Sequence, residues 1–217
     1  MLHIAACTLG SCASAEFMGY WLHRLLHSGA IRCLSHNHMK HHLVFYGPLQ
    51  KQRSETYHDA ANNSLSLGDI GLEWLIPAAL LIVGMVAVFH FFHLLLVYEL
   101  LSLGTILLWS FLMFSYLHDV MHVEGFWIEK NWWLRRWFVS AQKLHGIHHR
   151  ALNDRGLMNR NFGIGFFLFD RLFGTLSPEQ SSFNHPGYAA AMERFKYVQA
   201  PQVRWSVHHN QAGRGAS

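Results

Sequence analysis

The histidines of this chain occur in spaced motifs that are repeated on either side of a long apolar stretch. Before the stretch the sequence contains H-x-x-x-H and then H-x-x-H-H, and after it the same two motifs recur. In an α-helix, positions i, i+3 and i+4 lie within about 100° of arc and point the same way. Each motif therefore predicts a helix that presents its imidazoles as one cluster. The ten histidines are His23, His27, His38, His41, His42, His118, His122, His145, His148 and His149.

The second motif is too specific to be explained by chance. Histidine makes up 18 of the 217 residues, so H-x-x-x-H is expected about once or twice and H-x-x-H-H only about 0.1 times. Imidazole is a ligand for iron, copper, zinc and nickel. Two clusters brought together therefore predict a site for two metal ions.

The composition indicates a membrane protein. Apolar residues make up 51% of the chain and charged residues only 14%, whereas a soluble protein averages about 25% charged residues. The net charge is +4, but the lysines and arginines are scattered, which favours an anionic lipid surface over nucleic acid as a partner. The three cysteines form no C-x-x-C pair and predict no disulfide framework.

Two segments are predicted to enter the membrane. The segment Leu72–Leu117 is nearly continuously apolar and long enough for two spans of about 20 residues, and residues 2–22 predict a retained, membrane-embedded helix. No lysine or arginine occurs between Ser54 and Glu129, although both occur on either side. By the positive-inside tendency both flanks are cytoplasmic. The expected fold is an all-α integral membrane helical bundle, with a transmembrane hairpin and a histidine-rich cap on the cytoplasmic side.

A hairpin that returns to one side explains why the motifs are duplicated, because it brings residues 23–42 next to residues 118–149. Residues 54–69 are polar and predict an excursion at the cytoplasmic surface. Residues 126–143 mix Trp and Phe with Lys and Arg, which predicts one amphipathic helix along the headgroups. The expected division is a membrane-embedded domain over residues 1–176 and a polar tail over residues 177–217.

Several polar residues near the motifs have two interpretations each. Asp119 and Glu124 either accept a hydrogen bond from a metal-bound imidazole or are simply solvated. His90 and His93 either mark a function inside the hairpin or cap its far turn beside Glu99. Gly146 is expected to leave space beside the cluster. The histidines interpreted as non-ligands are His3, His36, His58, His185, His208 and His209.

The four histidine motifs and the later run N-F-G-I-G-F-F-L-F-D-R-L-F-G-T at residues 161–175 resemble the fatty acid hydroxylase superfamily, which includes sterol desaturases, lipid hydroxylases and carotenoid hydroxylases. The resemblance covers residues 16–176. It implies a non-haem diiron oxygenase with all ten histidines as iron ligands and with Asn161, Asp170 and Arg171 as structural residues or supports of the ligands. The chain lacks a full membrane hairpin before His23, which hints at pairing with another copy or a partner.

The resemblance further implies O2-dependent hydroxylation or desaturation of a membrane lipid such as a fatty acyl chain, a sterol or a carotenoid. The cofactors would be two iron ions, with zinc possible in purified protein. The chain has no flavin or haem motif, so electrons are expected from cytochrome b5, a ferredoxin or a reductase. Gly163, Gly165, Phe166 and Phe167 are candidates for the substrate pocket or simply pack.

Three other functions compete with this interpretation. One is a non-catalytic zinc-binding membrane protein, and another is a divalent metal transporter that uses His90 and His93. The third is a zinc hydrolase, which is disfavoured because H-E-x-x-H is absent and ten imidazoles exceed what one zinc ion needs. A transporter should carry histidines at mid-bilayer depth, whereas most of these lie at the predicted boundary.

Overall fold

The computed structural model describes residues 2–49, 75–179 and 182–198. Within these ranges the chain is mostly helical and contains no strand, which confirms the all-helical part of the prediction. The histidine motifs lie at or near helix ends. The helices are α1 Leu2–Ser28, α2 Arg32–Lys40, α3 Leu75–Phe91, α4 Leu96–Ser110, α5 Trp127–Lys130, α6 Arg135–His148, α7 Leu168–Leu172 and α8 His185–Arg194, and a 3-10 turn, Lys196–Val198, follows.

Two helices continue into π-helical turns at the histidine motifs. The helix α2 continues as the π-helical segment His41–Phe45, and α4 continues through Phe111–Leu117 into the short turn His118–Val120. A π-helical turn is wider than an α-helical one and is often found at functional sites. Here both widened turns contain or directly precede histidines of the motifs.

One helix in the described part of the chain is long and apolar enough to cross a membrane. It runs from Leu96 to Val120, 25 residues, which at about 1.5 Å per residue exceeds the roughly 30 Å of a bilayer core. The helix α3 is shorter, with 17 residues. The predicted hairpin is therefore present as a helix pair, while its two membrane crossings stay a prediction. Residues 54–69, and His58 with them, lie outside the described ranges.

The far turn of this helix pair contains the two hairpin histidines. His90 is in the last turn of α3, and the backbone of His93 adopts a left-handed conformation with a φ of 53°. Both side chains are exposed, and the His93 amide donates to the His90 carbonyl oxygen at 3.0 Å. Their placement agrees with the turn interpretation.

The helices α1 and α4 lie side by side and run in the same direction. Cys7 Sγ lies 2.9 Å from Ser102 Oγ, and further along both helices Trp109 Nε1 donates to Glu16 Oε1 at 2.8 Å. Because residue numbers rise together along the contact, the carboxyl ends of both helices arrive at the same place. Those ends carry the H-x-x-x-H motifs.

The single helix expected over residues 126–143 is wrong, because the chain breaks at Asn131 into α5 and α6. The Asn131 side-chain oxygen accepts hydrogen bonds from the amides of Trp133 at 3.1 Å and Leu134 at 3.2 Å. An asparagine that binds backbone amides two and three residues ahead favours a turn over a continuous helix. Trp132 and Trp133 consequently project outward, 78% and 72% exposed. The placement of this segment at the headgroups stays a prediction.

Part of the predicted polar tail is packed structure. Ala191, Phe195 and Val198 are buried in a cluster with Met39 and Leu43, because apolar residues recur along α8 at helical spacing. At the start of the helix, Asn184 Oδ1 accepts a hydrogen bond from the Gly187 amide at 2.9 Å, as an N-cap does. The packed structure therefore continues past the boundary expected at residue 176. Residues 199–217, which include His208 and His209, lie outside the described ranges.

Candidate metal centre

All ten predicted histidines come together in one cluster where α1, α2, α4 and α6 meet. Nine of them are buried, and the most exposed of these nine, His118 and His122, are 8% exposed. His38 is half-buried. The two halves of the chain that flank the apolar stretch therefore meet, as the duplicated motifs predict.

Five imidazoles form what we call the first group: His23, His27, His38, His42 and His148. One ring nitrogen from each of the first four lies within 4.8 Å of those of the other three. His148 joins them because its Nε2 lies 2.9 Å from His27 Nε2. The group combines residues from α1, from the α2 segment and from α6.

The other five imidazoles form the second group: His41, His118, His122, His145 and His149. Again, one ring nitrogen from each of the first four lies within 4.8 Å of those of the other three. His149 joins through its Nε2, which is 3.1 Å from His145 Nε2. The two groups adjoin, because the His42 and His149 rings are stacked with centroids 3.9 Å apart.

Within the one cluster, each H-x-x-H-H motif contributes imidazoles to both groups. On a helix, positions i and i+4 are about 40° apart, whereas i+3 and i+4 are about 100° apart. The pair at i and i+4 therefore stays together and the residue at i+3 points to the neighbouring group. In the first motif the pair is His38 and His42 and the divergent residue is His41; in the second the pair is His145 and His149 and the divergent residue is His148.

The separations between imidazole nitrogens fit shared metal ions. His38 and His27 approach to 3.0 Å between Nε2 atoms, and His41 and His122 to 2.9 Å. Two nitrogens that each lie about 2.1 Å from one ion at a right angle are roughly 3.0 Å apart. In the part of the chain that the structure describes, the Nε2 atoms of His23, His42 and His118 are buried without a hydrogen-bond partner. Such nitrogens are ready donors for a divalent first-row metal.

Backbone carbonyl groups set the orientation of three imidazoles. His23 Nδ1 donates to the Phe162 carbonyl oxygen at 2.6 Å, and His148 Nδ1 donates to that of Arg160 at the same distance. His149 Nδ1 donates to the Tyr46 carbonyl oxygen at 2.9 Å. With the proton on Nδ1, the Nε2 lone pair of each ring faces its group. Sequence reasoning missed these partners, because any residue type can supply a carbonyl.

The electrostatic environment keeps the cluster neutral. Burial lowers the pKa of His42 and of His145 well below the usual value, and the neighbouring imidazoles lower both further. Burial also holds the pKa of His149 at about 3, although the hydrogen bond to the Tyr46 carbonyl opposes the shift. A metal binds the deprotonated imidazole, so these rings are in the form that a metal requires.

Tyr46 covers one side of the second group. Its ring is stacked on His122, with centroids 4.0 Å apart and planes at 14°, and lies 4.9 Å from the His41 ring. Sequence reasoning missed this residue as well. The only signal was an aromatic side chain four positions after the H-x-x-H-H motif.

Asp170 fixes the chain segment that orients His23. Its carboxylate is fully buried and accepts hydrogen bonds from the amides of Phe162 at 2.7 Å and Gly163 at 2.6 Å. It also accepts one from Thr175 Oγ1 at 2.7 Å. Asp170 thus acts on the cluster through the Phe162 backbone and touches no imidazole directly.

Asn161 joins the same segment to its surroundings. Its backbone is in the left-handed region with a φ of 55°, which asparagine tolerates better than most residues. Its Nδ2 donates to the carbonyl oxygens of Leu144 at 3.1 Å and Ser177 at 2.9 Å, and its Oδ1 accepts from the Ser177 amide at 2.7 Å. Asn161 therefore links α6, next to His145, to the chain after α7. Arg171 is exposed on α7.

The other residues singled out from the sequence lie at the edge of the cluster or outside it. His118 Nδ1 and Asp119 Oδ1 are 3.9 Å apart, too far for a hydrogen bond within this pair, and the support of an imidazole by Asp119 stays a prediction. Glu124 is exposed, and so is Gly146, which therefore opens away from the imidazoles. His36 Nδ1 lies 3.1 Å from Asn37 Oδ1 and belongs to neither group.

The glycines proposed for a pocket serve close packing instead. A Cβ on Gly163 would lie 2.9 Å from Asp170 Oδ2, and one on Gly165 would lie 2.6 Å from Met113 Sδ. Phe166 is 45% exposed and Phe167 is half-buried. For the glycines, the packing alternative from the sequence is the one that the structure supports.

We expect Gly163→Ala to destabilise the protein by about 1–3 kcal/mol, because the added Cβ forces the segment away from the carboxylate that holds it. The Cβ would also lie 2.7 Å from the Phe166 carbonyl oxygen. Thermal unfolding in detergent measures the effect. Gly146→Ala is the matched control, because a Cβ there meets nothing within 4 Å and alanine favours a helix. Equal melting temperatures for both variants would contradict this account.

The fold and the site together define a helical protein with a centre of ten imidazoles, nine of them buried, arranged as two adjoining groups. The family model for fatty acid hydroxylase matches residues 8–175, and the chain belongs to this family, which confirms the resemblance noted in the sequence. The family is membrane-associated and typically metal-dependent, and its members are generally oxidoreductases of the hydroxylase type. No curated protein and no solved structure matches the chain.

Proposed function

We propose that the protein is an O2-dependent non-haem diiron enzyme that hydroxylates or desaturates a membrane lipid, such as a fatty acyl chain, a sterol or a carotenoid. The observation that carries the proposal is the cluster of ten imidazoles, nine of them buried, which form two adjoining groups of five. A single structural zinc needs only four ligands. Two ions side by side account for all ten.

The first group would hold one iron and the second group the other, and zinc could replace iron during purification. When bound, the irons supply the redox chemistry by which a C–H bond of the lipid is oxidised at the expense of O2. The chain contains no flavin or haem motif, so the electrons come from cytochrome b5, a ferredoxin or a reductase.

The residues of this chain contribute orientation and exclusion of water. The carbonyls of Phe162, Arg160 and Tyr46 hold three imidazoles with Nε2 facing inward. Asp170 holds Phe162 in place in turn. The burial of the cluster keeps bulk water from the site, which protects reactive species from side reactions.

The lipid would reach the centre from the bilayer. Apolar side chains of α3 and α4 are strongly exposed, for example Leu80 at 68% and Leu107 at 49%, and apolar surface of this extent marks contact with a membrane or another protein. We place the histidine motifs on the cytoplasmic side, from the lysine and arginine distribution. A second copy of the chain would pair along the exposed apolar faces.

A metal transporter accounts less well for these positions. Transport sites lie near the bilayer midplane along several spans, whereas the ten imidazoles gather at the carboxyl ends of α1 and α4. His90 and His93, which a transporter would use, are exposed at the opposite end of the α3 and α4 pair.

The test combines metal analysis with turnover. Protein prepared in its own membrane is expected to contain two irons per chain, with a Mössbauer signature of a coupled pair. With a reductant and a panel of lipids it should consume O2 only when a substrate is present. Zinc in place of iron in membrane-isolated protein, together with no lipid-dependent O2 uptake, would overturn the proposal.

We also expect metal removal to destabilise the fold, because the imidazole nitrogens of nine buried histidines are then left without a metal. A metal at 1,000 times its dissociation constant stabilises the native state by about 4 kcal/mol. A chelator should therefore lower the melting temperature, and ferrous iron should restore it. Magnesium is the control, since it prefers oxygen ligands. Unchanged melting after complete metal removal would contradict the prediction.

A further inference from the structure

Tyr46 lies beside the second group, at the point where the π-helical segment His41–Phe45 ends. Its amide donates to the His41 carbonyl oxygen at 2.8 Å, which is the bond from residue i+5 to residue i that defines a π-helical turn. This bond places Tyr46 one turn above His41, and the centroids of the two rings are 4.9 Å apart. The π-helical turn therefore holds a half-buried aromatic ring against the second group.

The ring of Tyr46 sets the plane of the imidazole at the middle of the second group. His122 Nε2 lies 2.9 Å from His41 Nε2 and 3.0 Å from His145 Nε2. The torsion that turns an imidazole about its bond to Cβ has broad minima, so the ring plane is set by what packs on it. Tyr46 packs face to face on His122, with planes at 14°. A turn of the His122 ring would move its Nε2 away from both neighbours.

Tyr46 also reaches a third imidazole, through its backbone. Its carbonyl oxygen accepts the hydrogen bond from His149 Nδ1 at 2.9 Å. His41, His122 and His149 belong to three separate parts of the chain. Tyr46 therefore joins three of the five members of the second group to one another.

The first group has a different aromatic neighbour. The ring of Phe162 lies edge-on to His23 and His148, with centroids 5.9 Å and 5.5 Å away, and its carbonyl oxygen accepts the hydrogen bond from His23. Phe162 is buried, whereas Tyr46 is half-buried. Because different residues support the two groups, removal of the Tyr46 ring should act on the second group.

We propose that Tyr46 is the positioning residue of the second metal ion, and that the flat face of its ring sets how tightly this ion binds. This rests on the proposed function, because it assigns one ion to each group. Tyr46 acts through His41, His122 and His149. Substitution of a residue that supports a metal ligand lowers metal affinity about 10–100-fold. The first ion, whose ligands are supported by Phe162, does not share this dependence, so the two ions respond differently to one substitution.

The test titrates cobalt(II) into metal-free, full-length protein in lipid nanodiscs, because cobalt binds nitrogen ligands and its visible absorption reports each bound ion. We expect the wild type to bind two cobalt ions per chain. Tyr46→Leu keeps apolar bulk but lacks a flat face, and it should bind one ion as the wild type does and the other at least about 10-fold more weakly. Tyr46→Phe keeps the ring and should bind both ions normally.

Tyr116→Leu is the matched control for the loss of a tyrosine ring close to a ligand. Tyr116 precedes His118 by two residues but belongs to neither group, and its ring packs on Phe126 with centroids 6.2 Å apart. This variant should bind both cobalt ions with the affinities and the absorption bands of the wild type.

Three results would overturn the proposal: wild-type binding of both ions by Tyr46→Leu, loss of both ions from it, or a Tyr46→Phe protein as defective as Tyr46→Leu. Loss of both ions counts because the Tyr46 ring supports only the second group. The titration needs neither O2 nor a lipid substrate. A wild type that bound fewer than two cobalt ions would contradict the proposed function, whereas two ions bound equally well by the wild type and by Tyr46→Leu would contradict the role of Tyr46 alone.

Discussion

Replacing His42 with alanine is expected to remove most of the bound metal and to lower lipid oxidation by at least about 100-fold. His42 is fully buried, and neither of its ring nitrogens has a hydrogen-bond partner among the described residues. Its nitrogen lies close to His23, His27 and His38 of the first group and also to His41 and His149 of the second. Substitution of a residue that only hydrogen-bonds a metal ligand already lowers metal affinity about 10–100-fold. Metal content per chain and O2 uptake measure the effect.

His36→Ala is the matched control, because His36 lies six residues earlier and belongs to neither group. It bonds its neighbour Asn37 instead. We expect wild-type metal content and wild-type turnover from this variant. If His42→Ala retained both metal ions and His36→Ala lost them, the assignment of the two groups would be wrong.

Asp170→Asn should destabilise the protein and disturb the metal centre, although Asp170 touches no imidazole. The carboxylate accepts three hydrogen bonds. In the asparagine variant the NH2 group would face at least one of these donors, so that hydrogen bond is lost. A buried hydrogen bond to a charged group contributes about 1.5–3 kcal/mol. We expect a loss of about 3 kcal/mol, which lowers the melting temperature by roughly 6–12 °C. Partial metal loss should follow, since the Phe162 carbonyl that orients His23 is released.

Asp154→Asn provides the comparison for this variant. Asp154 is exposed, and its Oδ1 accepts a hydrogen bond from Asn184 Nδ2 at 2.9 Å, which an asparagine oxygen can also accept. The expected change in stability is within about 0.5 kcal/mol. If Asp170→Asn melted like Asp154→Asn and kept its metal spectrum, the Phe162 carbonyl would not depend on Asp170.

Much of the site could be predicted from the sequence, because histidine is uncommon and its spacing matches the helical period. The ten positions, the meeting of the two halves and the helical class all follow from local patterns. The division of each motif between the two groups could have been derived from the same geometry, since i+3 and i+4 differ by about 100°. It was missed because the spacing of one motif does not show that a second group of imidazoles lies next to the residue at i+3.

Other features depend on contacts between residues far apart in the chain. The packing of Phe195 on Met39 and the stacking of Tyr46 on His122 are of this kind. Composition assigned residues 177–217 to a polar tail, although Ala191, Phe195 and Val198 within that range pack into the core. The average composition of a segment cannot show which face of its helix packs against the rest of the protein.

By itself the sequence determined which atoms can bind metal and that the fold is helical, because side-chain chemistry and helical periodicity are local properties. The tertiary structure decided which imidazoles share a group and which backbone carbonyls orient them. These depend on how α1, α4 and the loop over residues 160–163 pack. Packing brings together groups that no spacing along the chain relates.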